Sequence, residues 1–297
     1  MKSGFVVLVG RSNVGKSTLL NALVGTKIAI TSPKPQTTRF PIHGIINDER
    51  GQIVFVDTPG VFAKARDPVT SSLNQHVRDA LRDIDLVVYV ADPTRAIGNE
   101  ENMMLRLVEP VKAKKILAIN KIDEHRPPYI EEYRNLSDRF DATVEISALH
   151  HKNLKQLVSV VFDMLSEGEA HYPEFQFTNI DNRVWVAEII REKVFIQMGQ
   201  EIPYSVAVEI EDIEERKQST PSNSPSKKGE KTTDILYVKA NIVTNAERYK
   251  GMLVGSGGRK IKEMGASARR ELEGALNRRV FLDLQVVVDP QWTARLL

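Results

Sequence analysis

Lys16 and Ser17 close a glycine-bounded run, Gly10-Arg11-Ser12-Asn13-Val14-Gly15-Lys16-Ser17, with Thr18 next. The run follows an apolar stretch and opens an amphipathic one, so it reads as the turn between a strand and a helix. Glycines in such a turn let backbone amides close around a phosphate, and the helix N-terminus attracts its charge. In that setting Lys16 reaches the β- and γ-phosphates of a nucleotide, and the Ser17 hydroxyl ligates Mg²⁺.

Asp57-Thr58-Pro59-Gly60 follows another apolar run. An aspartate at the carboxyl end of a strand can hold Mg²⁺ through a water, and the Gly60 N–H can meet a γ-phosphate. A loop threonine is expected to complete the metal shell and sense that phosphate: Thr38, with Thr37 as the alternative. On this reading Lys16, Thr38 and Gly60 are the catalytic groups.

The base is indicated by Asn120-Lys121-Ile122-Asp123. A carboxylate accepts two hydrogen bonds from the N1–H and 2-amino group of guanine, a pair that adenine lacks. Asp123 is therefore the discriminating residue. Asn120 is expected to bind base and loop groups, and the Lys121 stem to pack over the ring. Ser147-Ala148 is expected to turn a backbone N–H toward the guanine oxygen. The motifs occur in order, each behind a strand, and together they specify a GTP/GDP-binding domain. Val61 stands where Ras-like GTPases carry the glutamine that orients water. This implies slow hydrolysis or charge supplied from elsewhere. The Asn13 carbonyl offers a place for a monovalent cation such as K⁺; the alternative is that Asn13 only braces the loop.

A different chemistry appears near the C-terminus. Val254-Gly255-Ser256-Gly257-Gly258-Arg259-Lys260-Ile261 contains G-x-x-G between two helical stretches. Such a loop presents backbone amides to a nucleic-acid backbone where a side chain would obstruct the approach. Lys250, Arg259, Lys260 and Lys262 suit phosphates, while Val254 and Ile261 can help form a groove for unstacked bases.

The elements that must position these groups follow from periodicity. Residues 5–9, 53–57, 86–92, 116–120 and 143–147 read as buried strands, and 42–46 as an antiparallel edge strand. Helices are expected at 17–24, 68–82, 100–111, 128–140 and 154–165. Residues 1–166 thus form a doubly wound, mostly parallel α/β domain. Residues 167–182 read as a linker. Residues 183–297 run helix (183–198), strand (204–210), strand (234–243), helix (247–254), helix (259–276) and strand (279–288). With the G-x-x-G loop between its second and third helices, this order is that of a type II KH domain, an α+β fold that binds single-stranded RNA. Residues 216–233 lack aliphatic and aromatic side chains and carry five basic residues against one acidic, so a disordered loop is expected there.

Composition excludes several alternatives. Without cysteine there are no disulfides, thiolate metal sites or cysteine nucleophiles. The adjacent pair His150-His151 lacks a second ligand pair at metal spacing. No apolar run approaches the ~18 residues of a membrane span. The N-terminal run reads as a buried strand rather than a signal peptide. Net charge is only +2, but 201–215 holds six acidic and no basic residues, whereas 248–279 holds nine basic and three acidic ones. The basic stretch is a local electrostatic footprint beside the G-x-x-G loop.

On the segments GRSNVGKSTLLN (10–21), QTTR (36–39), DTPG (57–60), NKID (120–123), EIIREK (188–193), EIPYSVAVEIE (201–211) and VGSGGRKIK (254–262), the chain resembles the Era family. These are bacterial GTPases of the TrmE-Era-EngA branch, and the resemblance covers essentially the whole length. It implies a GTP-dependent factor in assembly of the small (30S) ribosomal subunit, gripping RNA near the 3′ end of 16S rRNA. It further implies slow GTP hydrolysis, Mg²⁺ and K⁺ dependence, a monomer, and a cytoplasmic location with peripheral attachment to the inner membrane. By position, residues 10–18 carry over as phosphate and Mg²⁺ contacts, Asn120, Lys121 and Asp123 as guanine contacts, and 255–260 as the RNA-gripping loop. Segment 216–233 is longer than the family's usual connection.

Overall fold

The computed structural model describes residues 1–32, 34, 37–59, 75–77, 79–82, 84–199, 202–219 and 232–292. The chain divides into two compact units, Met1–Ile180 and Asp181–Leu297.

In the first unit the apolar runs become β1 (Lys2–Val9), β2 (Ile42–Asp48), β3 (Gly51–Asp57), β4 (Leu86–Ala91), β5 (Lys114–Ile119) and β6 (Ala142–Glu145). They form one sheet in the order β2-β3-β1-β4-β5-β6, antiparallel only between β2 and β3. Every residue of β3 and β4 is buried, as a parallel sheet covered on both faces demands. One face packs Leu8, Phe55, Val88 and Ile116 against α1 (Lys16–Val24) and α4 (Leu154–Met164). The other packs Val7, Tyr89 and Leu117 against α2 (Asn99–Val108) and α3 (Ile130–Arg134).

The expected helix at 128–140 is shorter than its periodicity suggests. It breaks into α3 and a 3₁₀ turn, Ser137–Arg139, because the chain must return at once to β6. Of the helix expected at 68–82, residues 75–77 and 79–80 are helical, Leu81 and Arg82 form the turn that follows, and 68–74 and 78 lie outside the described residues.

The segment read as a linker is fastened along β2 through residue 180. Ile45 donates its N–H to Phe177 O (3.0 Å), and Asn47 Nδ2 donates to Glu174 O (2.7 Å). The buried Gln52 side-chain oxygen accepts the N–H groups of His171 and Tyr172 at 2.8 and 2.9 Å. An edge strand offers unpaired backbone groups to any passing chain, so mixed composition did not prevent docking.

The second unit contains α5 (Asn182–Gln197), β7 (Val206–Ser219), β8 (Thr232–Thr244), α6 (Glu247–Val254), α7 (Arg259–Leu276) and β9 (Val280–Val288). Its sheet runs β7-β8-β9, antiparallel then parallel. Val186, Ile190, Val238, Ile242, Leu253, Met264 and Leu272 are buried in it. The expected element order holds. The disordered stretch expected at 216–233 is corrected at both ends, where Arg216 to Ser219 pair with Ile235 to Thr232. A ladder needs only backbone partners, and the Arg216 guanidinium adds a contact 3.4 Å over the Tyr237 ring. Residues 220–231 lie outside the described residues.

Candidate functional site

Gly15 sets the geometry of the first site. Its φ is +100°, and a Cβ there would stand 2.4 Å from Asn120 Nδ2. The glycine-bounded loop is thus closed directly against the loop after β5. Asn120 locks them together: its Nδ2 donates to Val14 O (2.8 Å) and its Oδ1 accepts the Ala148 N–H (2.9 Å). Asn120 thus makes the loop contacts expected of it, and of the Ser147-Ala148 amides expected near the base, that of Ala148 is given to Asn120. The Ser147 N–H is likewise given to Lys152 O, while its hydroxyl accepts the His150 N–H.

Lys16, 6% exposed, donates to the carbonyls of Gly10 (2.9 Å) and Arg11 (3.0 Å). Burial lowers its pKa to about 8, against the opposing pull of Asp57 and Glu101. Its ammonium is a partly desolvated cation at the mouth of α1, where the helix dipole also favours an anion.

Three hydroxyl and carboxylate groups from separate segments converge beside it. Ser17 Oγ donates to Asp57 Oδ2 at 2.6 Å, Thr38 Oγ1 donates to the same oxygen at 3.3 Å, and the two hydroxyls lie 3.1 Å apart. Burial pushes the Asp57 pKa up, partly offset by Lys16, Ser17 and Thr38. Its Oδ1 is buried and without a hydrogen-bond partner among the described residues. Hard oxygens around an unsatisfied carboxylate fit a divalent cation such as Mg²⁺. Thr37 instead caps its own turn by donating to Lys34 O (2.7 Å), which favours Thr38 of the two candidates. Thr58 Oγ1 braces β1 through Leu8 O (2.8 Å), Pro59 is buried, and Gly60 lies outside the described residues.

Asp123 keeps one buried oxygen, Oδ1, without a partner among the described residues, while Oδ2 is 3.6 Å from His150 Nε2. That is an acceptor suited to a two-donor base edge. A cleft of about 660 Å³ is lined by residues that include Ser12, Asn13, Gly15, Lys16, Ser17, Thr18, Thr37, Thr38 and Lys121. Leu149, which the sequence reading overlooked, also lines it and is 69% exposed. Its only signal was an apolar residue directly after Ser147-Ala148.

Arg11 is the clearest departure. Its side chain leaves the phosphate loop and is buried, donating to Ala96 O, Asp92 O, Arg95 O and Tyr133 Oη at 3.0 to 3.2 Å. Returning contacts come from Arg95 Nη2 to Ser12 O (2.8 Å) and Lys121 Nζ to Asn13 O (3.1 Å). Lys121 also donates to Asp92 Oδ2 (2.7 Å). Burial opposes ionisation of Asp92, but the hydrogen bonds from Lys121 and Thr94 outweigh it and hold the carboxyl below its usual pKa. The Asn13 carbonyl therefore already faces one cation, the Lys121 ammonium.

In the second unit, Gly255, Gly257 and Gly258 all have positive φ. A Cβ on Gly257 or Gly258 would meet nothing within 4 Å, so the outer side of this turn is open to close approach. Ser256, Gly257 and Arg259 are exposed, while Lys250, Val254, Lys260 and Ile261 are half-buried. No acidic residue occupies the first turn of α7, leaving its positive dipole end uncompensated. Basic side chains and open amides at one helix start suit a phosphate backbone.

Among the described residues no helix is long and apolar enough to cross a membrane. Comparison with known proteins matches residues 5–121 to a family described as 50S ribosome-binding GTPase and residues 201–293 to the KH domain. The chain is 40% identical to the GTPase Era of Halothermothrix orenii over 293 residues, 98% of this chain and 94% of that protein. It is also 40% identical to that of Carboxydothermus hydrogenoformans over 294 residues, with the same coverage. A crystal structure of Era in complex with MgGDPNP and nucleotides 1506–1542 of 16S ribosomal RNA superposes with TM-score 0.86 at 36% identity. It covers 99% of this chain and 96% of that one. An Aquifex aeolicus Era variant bound to GDP·AlF₄⁻ gives the same values. With both units accounted for by one relative along nearly the whole chain, this protein belongs to the Era family of GTPases.

Proposed function

We propose that this GTPase binds 16S rRNA near its 3′ end through the Gly255–Gly258 turn and assists assembly of the 30S subunit, with GTP hydrolysis timing its release. The observation that carries the reading is the full-length similarity to an Era captured with MgGDPNP and a 16S rRNA fragment. The open glycine turn at the basic start of α7 supports it independently. We take the protein to act as a monomer in the cytoplasm, where its ribosomal partner is assembled.

In the first unit, Lys16 and the amides of 10–18 hold the phosphates of GTP or GDP, and Asp123 accepts from the guanine edge. Lys121 and Leu149 line the same cleft and cover the base. Ser17, Thr38 and Asp57 would hold Mg²⁺, which supplies charge neutralisation on the phosphate oxygens when bound. Thr38 sits on the loop before β2 and so links the γ-phosphate to that segment. K⁺ at the Asn13 carbonyl would compete with the Lys121 ammonium 3.1 Å away. A K⁺ requirement therefore predicts that Lys121 swings off Asn13 in the active complex, and unequal GTPase rates in K⁺ and Na⁺ buffers would reveal it.

The test is binding of a labelled oligonucleotide matching the rRNA 3′ end, with a GTP analogue or GDP bound. Tighter binding with the analogue, lost in Gly255→Asp, Gly258→Asp, is expected. Equal binding in both nucleotide states would remove the switch, because a ligand without differential affinity shifts no equilibrium.

A further inference from the structure

The second unit has a second basic surface, away from the glycine turn at the opposite end of α7. Across the start of its sheet, Glu214, Tyr237 and Phe281 pair in one row. The Arg216 guanidinium covers Tyr237, and Tyr237 stacks on Phe281 with centroids 5.7 Å apart and planes 12° from parallel. Phe281 is nevertheless 57% exposed. Beside it a cleft of about 620 Å³ is lined by Arg269, Glu273, Asn277, Arg278 and Arg279, three arginines against one glutamate.

An arginine-rich helix end is ordinarily neutralised by acids on the same helix. Here those acids hold partners other than the helix's own arginines. Glu271 pairs with the buried Lys193, and Glu273 Oε1 accepts the Val280 N–H at 3.1 Å. Arg278 has Glu215 at 2.6 Å and Arg216 pairs with Glu214. Arg269 and Arg279 have no ion-pair partner among the described residues.

We propose that this ledge is a second subsite for single-stranded RNA, with a base on the exposed face of Phe281 and phosphates at Arg269 and Arg279. A flat exposed ring flanked by unpaired guanidinium groups matches the stacking-plus-phosphate chemistry of single strands. An acidic peptide would use the arginines but leave the ring without a role. The subsite rests on the RNA-binding reading above and lengthens the RNA footprint beyond the strand held at the glycine turn.

The experiment uses the full chain and two labelled single strands from one RNA. One is about four nucleotides, the length a G-x-x-G loop clamps, and the other about three times longer. In Arg279→Gln, Phe281→Ala, the Kd for the long strand is expected to rise roughly tenfold. Its log Kd against log salt slope should flatten by about 0.7 per lost phosphate contact. Short-strand binding, competed against the label, and the GTPase rate should not change. Gly258→Asp should instead lose the short strand. Wild-type affinity of the double variant for the long strand overturns the subsite and leaves the glycine-turn reading intact. Equal loss of both strands also overturns it, as a general disturbance of the unit. Loss of sedimentation with phosphatidylserine vesicles, with long-strand affinity kept, assigns the ledge to a membrane surface and overturns it too. Failure of the wild type to bind either strand removes the RNA reading and the subsite together.

Discussion

Arg11 Nε stands 2.9 Å from Glu101 Oε2, with side chains 6% and 0% exposed. One belongs to the phosphate loop and the other to α2, so a buried ion pair anchors the nucleotide-gripping turn from behind. The Tyr133 hydroxyl donates to the same carboxylate at 2.9 Å, and the Tyr89 hydroxyl donates to its other oxygen. Burial and the Glu101 charge raise both tyrosine pKa values, which keeps these phenols as donors. Removing one partner of a buried pair strands the other charge, at a cost of about 3–5 kcal/mol. Glu101→Ala should therefore lower the unfolding free energy in urea by about that amount. An unchanged midpoint would show that the pair is replaceable.

Lys16 gives opposite pH signatures for stability and for binding. Its pKa falls from 10.5 to about 8 in the folded protein because it is buried. The unfolded chain therefore holds the extra proton between those values, and this group makes the nucleotide-free protein more stable as pH rises through them. Phosphates bind the charged form, so affinity for GTP or GDP should fall by roughly tenfold per pH unit above about 8. Calorimetry in buffers of different ionisation enthalpy should record proton uptake on binding at pH 8 to 9. Binding without proton exchange there would place Lys16 outside the phosphate contacts.

Asp123 should control base identity. Its unsatisfied buried Oδ1 matches a donor edge, and a site built for hydrogen bonds rejects analogues that leave it unpaired. Asp123→Asn replaces one acceptor by an amide donor. Guanine nucleotides should lose affinity roughly 100-fold or more, while xanthine nucleotides, with a carbonyl in place of the 2-amino group, should gain. Retained preference for guanine in a nucleotide competition assay would move the discriminating contact elsewhere.

What the sequence made legible was the chemistry carried by short, ordered motifs. Ser17, Asp57 and Thr38 come from three segments, yet their types and order announced an oxygen-rich site that the fold does assemble. Strand existence was equally plain, since parallel strands buried on both faces need unbroken runs such as Leu86–Ala91. Side-chain direction was not legible. Arg11 sits inside the phosphate motif, but its partners Asp92, Arg95, Glu101 and Tyr133 lie 81 or more residues away and carry no motif. Docking through backbone groups was also hidden. The 167–180 segment binds the β2 edge, and the hairpin extends to Ser219 and Thr232, with partners that any residue type supplies. Hydrophobic pattern is blind to both.

Thr38 and Thr37 are neighbours with separable roles, and this allows a controlled test of the metal site. Thr38 Oγ1 is buried beside Asp57 and Ser17, where loss of its oxygen removes a ligand from the cation shell and a sensor of the γ-phosphate. Thr37 Oγ1 donates to Lys34 O and closes a turn. Thr38→Ala should lower GTP hydrolysis roughly tenfold or more, as removal of a positioned polar group at a transferring phosphate does. It should also shift the Mg²⁺ dependence to higher concentration and weaken binding of a GTP analogue more than of GDP. Thr37→Ala should leave all three near wild type, since a turn hydrogen bond contributes only about 1 kcal/mol to stability. The two variants remove the same atoms at adjacent positions, and urea unfolding of both separates loss of the metal contact from loss of folding. Equal effects of both substitutions would mean that the loop responds as a whole, and the reversed order would transfer the metal contact to Thr37.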